Sequence, residues 1–153
     1  MLAIFLDIEE TVIHSLDNPK ETEWARKIFD FVEGKENIFL FSWALWTNED
    51  VESFISTPTF QWICMNANQT IPTEKIISKD SLRNSFSNMF RSLDLNDFRD
   101  VCQSKEVAFE LFVRFDERVK EFNEFVFIDD RVENKIVKIG NKEIFFVKAH
   151  REM

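Results

Sequence analysis

Tyrosine is missing from these 153 residues, glycine and cysteine occur twice each, histidine twice and proline three times. With glycine so scarce, few turns can rely on its conformational freedom, and phenylalanine, present 18 times, must supply the bulk of the core. Cys64 and Cys102 stand far apart and outside any CxxC or Cys/His spacing, which excludes a zinc site of the usual kind and leaves two buried free thiols as the expectation. His14 and His150 have no partner in sequence and read as surface or structural residues. No cluster of Lys and Arg tracks a phosphate backbone. The 19 basic against 28 acidic side chains give a formal charge of -9, which argues against binding of duplex nucleic acid. An anionic substrate would need a bound cation or aimed backbone N–H groups to offset repulsion. Long apolar runs are lacking too: none approaches the roughly 18 residues of a membrane span. MLAIFL has no basic flank of the secretory kind, so no membrane partner and a cytoplasmic location are expected.

What is present suits one domain over residues 1–153, with 44% hydrophobic and 31% charged residues. Strands alternate with helices. LAIFLD opens the chain. Asn18 and Pro19 read as the start of a helix carrying Trp24, Ile28, Phe31 and Val32 and closed by Gly34. IFLFS (38–42) is a short apolar run of the kind buried in a parallel sheet. Thr47 and Asp50 form a capping pair for a helix that Pro58 breaks or restarts. KIIS (75–78) predicts a third strand, 81–101 helical turns that could form a small insertion, and 104–122 a helix with Val107, Leu111, Phe112 and Phe115 on one face. FVFIDD (125–130) and EIFFVKA (143–149) complete five strands. The alternation predicts an α/β fold with a doubly wound, mainly parallel sheet and ligands beyond the carboxyl ends of its strands.

Those strand ends carry Asp7 with Glu9, Ser42, and the pair Asp129 and Asp130. Carboxylates that converge with like charge are costly unless a divalent cation lies between them, and an oxygen-rich site of this sort suits Mg²⁺.

The order Asp-x-acid-x-Thr after the first strand, Ser after the second, Lys before a later helix and Asp-Asp after the fourth resembles the haloacid dehalogenase-like superfamily of phosphohydrolases. The matching pieces are FLDIEET, IFLFS, SKEVAFELF and FVFIDDRVEN, which span Asp7 to Asn134. The late position of the acid pair separates the chain from response-regulator receivers, where it comes first. The resemblance implies a Rossmann-like core and an Mg²⁺-dependent phosphatase acting through an aspartyl-phosphate. Asp7 would be the nucleophile and Glu9 the acid-base group. Asp130, helped by Asp129, would hold the metal with Asp7 and a carbonyl at Glu9. Ser42 would bind a phosphoryl oxygen, Lys105 would neutralise Asp7 and phosphate, and Asn134 would orient a metal-bound water or make a polar contact. Lys75 and Lys79 compete with Lys105 for its role.

Glu9 departs from the pattern, since family phosphatases usually have Asp there. Glu10 departs as well, standing where Gly is common. An inactive binding module is therefore the alternative. With one helix and one strand between Asp7 and Ser42, no large cap fits, and an open site would take a phosphorylated substrate such as a nucleotide, a nucleic-acid end or a phosphoprotein. Trp43 and Trp46, directly after Ser42, would stack on an aromatic group there or, more simply, pack.

Overall fold

Every residue from Ala3 to Leu6 is buried, which a strand sustains only when both faces of its sheet are covered. The computed structural model describes residues 1–87, 104–151 and 153. Its six strands are β1 (Leu2–Leu6), β2 (Ile38–Phe41), β3 (Ile76–Ile77), β4 (Glu124–Asp129), β5 (Lys135–Ile139) and β6 (Lys142–Lys148). They form one sheet in the order β3-β2-β1-β4-β6-β5, parallel except for β5. The described helices are α1 (Ala25–Val32), α2 (Asn48–Ile55), α3 (Pro58–Ala67), α4 (Lys79–Ser87) and α5 (Lys105–Phe115). None is long and apolar enough to cross a membrane.

Strand alternation gives the sheet two unlike faces. Ile4, Leu6, Ile38, Leu40, Val126 and Ile128 point to one side, where they pack with apolar residues of α1, α2 and α3. Ala3, Phe5, Phe39, Phe41, Phe125 and Phe127 point to the other and pack with Leu82 and Phe86 of α4 and with α5. On this phenylalanine face Phe109 of α5 lies 4.8 Å from Phe5 and 4.4 Å from Phe127, ring centre to ring centre. Aromatic pairs of that geometry contribute about 0.5–1.5 kcal/mol each beyond the area they bury. They fix α5, and with it whatever its first turn carries.

Several local expectations change. The helix expected from Asn18 begins only at Ala25, because the chain before it is held by its neighbours: His14 N donates to Lys20 O and Thr22 N to Val12 O. Phe31 is exposed and Phe29 takes its place in the core. Thr47 and Asp50 do form a capping box, and Pro58 restarts the chain as the first residue of α3, with Thr57 as its cap. The helix expected over 104–122 ends at Phe115, where Asp116 turns extended, and a short 3₁₀ turn follows at Glu117–Val119. Its buried stripe is Lys105, Ala108, Phe109, Phe112 and Val113, and Val107 faces water. Strand β5 was not expected. It is an edge strand with alternate exposure, joined to β6 through Gly140 at φ 60°; the Gly-Asn pair between two β-rich runs is the hairpin signal for it. Of the insertion expected over 81–101, α4 covers the first residues and the remainder lies outside the described residues, as does Cys102. Cys64 is only half-buried.

Candidate functional site

The register Leu6↔Ile128 brings the ends of β1 and β4 side by side. The ladder runs one step further, with Asp7 N donating to Ile128 O at 3.0 Å. Asp7 follows Leu6 and Asp129 follows Ile128, so alternation turns both carboxylates to the phenylalanine face, toward α5. Lys105 begins the buried stripe of that helix, just after Ser104, whose Oγ accepts from Val107 N at 3.3 Å. Its ammonium therefore reaches down between the strand ends. Lys105 Nζ donates to Asp7 Oδ1 at 2.8 Å and to Asp129 Oδ2, and all three side chains are almost wholly buried.

The remaining oxygens are also occupied. Asp7 Oδ2 accepts from Thr11 Oγ1 at 3.0 Å, and Thr11 O in turn accepts from Thr22 Oγ1 at 2.9 Å. Asp129 Oδ1 accepts from Arg131 N at 2.7 Å. Asp130 is the third acid: one carboxylate oxygen each from Asp7, Asp129 and Asp130 lie within 4.8 Å of one another. One ammonium thus faces three carboxylates.

The imbalance shows in the proton affinities. Burial raises the pKa of Asp7 above the usual carboxylate range against the pull of Lys105, and Asp129 adds to the rise. Burial and then the charges of Asp129 and Asp7 push Asp130 up to about 7. Burial works against a charged Lys105, but the fields of Asp7 and Asp129 outweigh it and hold the ammonium protonated. These are the conditions under which a cation is bound: hard oxygen donors, excess negative charge and limited solvent. The three aspartates could hold a metal ion.

Asp7 and Asp130 line a cleft of about 460 Å³. Lys105, Glu9, Ser42 and Trp43 line it too. Ser42 is buried and its Oγ accepts from Ala44 N at 3.2 Å, a turn-capping contact that leaves the hydroxyl proton as a donor. Glu9 lines the cleft, but its carboxylate is outside the three-acid cluster: Oε2 accepts from Leu16 N at 2.7 Å. The departure at position 10 has a backbone counterpart. Glu10 has φ 58°, the left-handed region where glycine is at ease and other residues are strained by about 1–3 kcal/mol.

Among the competing lysines, Lys79 sits at the cleft mouth with Nζ 3.6 Å from the Trp46 ring centre, and Lys75 lies over Phe39. Lys105 is the one at the carboxylates. Trp43 packs on Phe41 at 5.2 Å while lining the cleft, and Trp46 is exposed. Asn134 makes the polar contact, with Oδ1 accepting from Lys148 N at 2.7 Å, and so ties the turn after β4 to β6. His14 lines the cleft beside Glu10, 3.8 Å away.

Residues not anticipated include Thr22, Arg131 and Glu106. Glu106 accepts from Glu133 N at 3.0 Å and pairs with Lys135, which joins the first turn of α5 to the loop carrying Asp130. Thr11 stood in the Asp-x-acid-x-Thr pattern, four residues after Asp7, and its bond to Asp7 gives that spacing a purpose. In comparisons with known proteins, no family model and no curated protein matches this chain.

Proposed function

We propose that the chain is an Mg²⁺-dependent phosphohydrolase of the haloacid dehalogenase type, with a doubly wound, Rossmann-like core, that cleaves a phosphomonoester through an aspartyl-phosphate on Asp7. The observation that carries this reading is the Lys105 ammonium seated between Asp7 and Asp129, with Asp130 completing a three-carboxylate cluster at the carboxyl ends of adjacent parallel strands. Asp7 and Asp130 would hold the Mg²⁺, which when bound supplies positive charge to the phosphoryl oxygens.

A carboxylate oxygen of Asp7 attacks phosphorus as the bond from phosphorus to the ester oxygen breaks. Lys105 opposes the protonation of Asp7 that burial favours and offsets the charge of the phosphoryl group, and the Ser42 hydroxyl donates to one of its oxygens. Protonated Glu9 gives its proton to the departing oxygen. As a carboxylate it then takes a proton from water, whose oxygen attacks phosphorus, and Asp7 and inorganic phosphate are released. Turnover of p-nitrophenyl phosphate with Mg²⁺ should fall at least about a thousandfold in Asp7→Asn. Turnover equal to wild type in that variant would refute the assignment.

A second reading, a weakly active or inactive binding module on the same fold, is favoured by one contact. The N–H of Leu16 on Glu9 Oε2 ties that carboxylate to its own loop, outside the three-acid cluster where proton transfer would be needed. Absence of Mg²⁺-dependent turnover from a folded wild-type protein would select it.

A further inference from the structure

The cleft at Asp7 does not end at its own rim. Ala44 lines both it and a second hollow of about 230 Å³, and Ser15 of the first wall is followed by Leu16 of the second. Thr59 in turn lines both the second hollow and a third of about 370 Å³. The three therefore adjoin one after another, from the carboxylates past the loop before α1 to the start of α3. Their chemistry changes along the way. Lys79, Lys105 and Arg131 all belong to the first. Among the described residues, neither of the other two is lined by a Lys, Arg or His. The second has an apolar floor of Leu16, Leu45 and Phe54 with hydroxyls at Thr57 and Thr59, and carries the carboxylate of Asp50. The third is lined by Pro19, Pro58 and Trp62 and carries Glu21.

Positive charge thus stops where a phosphoryl group would stop. A nucleic-acid strand leaving the cleft would place further phosphates against Asp50 and Glu21, with no cation among the described lining residues to receive them. A peptide suits the same groove: its backbone can bond to the Thr59 hydroxyl, Thr57 being engaged as the cap of α3, its apolar side chains can cover Leu16, Leu45 and Phe54, and a basic residue would meet the two carboxylates. We propose that the substrate is a phosphorylated residue within an extended peptide segment, with apolar or basic residues flanking it, lying across Ala44 and Thr59. This rests on the phosphohydrolase reading for its catalytic end.

Binding can be read separately from turnover. Fluorescein-labelled peptides carrying the non-hydrolysable phosphonate analogue of phosphoserine are titrated in Mg²⁺ and followed by anisotropy, with Leu and Lys flanks in one and Asp flanks in another, beside a labelled 5′-phosphorylated oligonucleotide. The Leu/Lys peptide should bind at least about tenfold more tightly than either of the others. Thr59→Arg should narrow or reverse the order of the two peptides, because it puts a cation in the groove. Equal binding of the two peptides, or tighter binding of the oligonucleotide, would overturn the proposal even if p-nitrophenyl phosphate is turned over. Selective binding of the Leu/Lys peptide without turnover of any ester would sustain the groove and refute the phosphohydrolase reading instead.

Discussion

Helix α5 has an ionisable residue at each end, and both oppose its dipole: Lys105 is its first residue and Asp116 follows its last. The two ends meet that cost differently. At the carboxyl end Asp116 Oδ1 accepts from Arg118 N and Nε at 2.9 and 2.8 Å, and Oδ2 accepts from Arg118 Nη2 at 2.8 Å and from Ser85 Oγ. One carboxylate meets one guanidinium, and although burial acts to raise it, those bonds hold the Asp116 carboxyl below its usual range. At the amino end one ammonium meets three carboxylates, and Asp7 and Asp130 are both pushed upward. The matched pair lines a hollow of its own, of about 490 Å³, but its charge is balanced within the fold. An unmatched cluster stores a demand for positive charge, and the cleft lies at that end.

The sharpest way to break the contrast is to remove each end in turn. Lys105→Met strands buried carboxylates with no counter-charge, and should cost about 3–5 kcal/mol at neutral pH, as breaking a buried pair does. The position is thus structural as well as chemical, although a cation in a first helical turn suggests only a small effect from sequence. Urea unfolding measures the loss, and millimolar Mg²⁺ should recover part of it by binding the folded state alone. Asp116→Ala should cost less, about 2 kcal/mol, because Arg118 is 27% exposed and can turn to water. Mg²⁺ should recover none of that loss. Equal losses with equal recovery would mean that the two ends do not differ in kind.

The same helix shows what could be read in advance. Strand ends and motif order point to Asp7, Glu9, Ser42, Lys105, Asp129 and Asp130; all but Asp129 line the cleft, Asp129 is bonded to Lys105, and the Glu9 carboxylate is tied to Leu16 instead of joining the other acids. Strand ends are legible because the register follows from two runs of buried residues, LAIFL and FVFID. The face of α5 was legible only in part: of the expected Val107, Leu111, Phe112 and Phe115, Phe112 lies on the buried stripe, whose other members Phe109 and Val113 repeat at helical spacing just as well, and the phenylalanines of β1 and β4 choose between them. The tie from Leu16 N to Glu9 was hidden for another reason. It depends on how the loop folds back through Ile8 O, which accepts from Val12 N and Ile13 N, and no periodicity encodes such a turn.

A smaller effect is expected in that loop. Glu10→Gly relieves a left-handed residue at φ 58° but adds freedom to the unfolded chain. A net gain of up to about 1 kcal/mol should appear in thermal unfolding, and a loss of similar size would show that the Glu10 side chain supports the loop.

The central claim is that the three carboxylates at the amino end of α5 could hold a cation, for which the matched pair at its carboxyl end has no need. Asp130, at about 7 in the folded protein against 3.8 as an ordinary carboxyl, holds a proton in the folded state between those values. Its stabilising contribution is present in full below about pH 4 and is lost as pH rises toward 7. A divalent ion must displace that proton. Isothermal calorimetry of Mg²⁺ into the wild-type protein should show binding that tightens from pH 6 to pH 8, with heats at pH 6 that depend on buffer ionisation because a proton is released, and Asp130→Asn should lose both features. Binding of equal strength at the two pH values, unchanged in Asp130→Asn, would contradict the account.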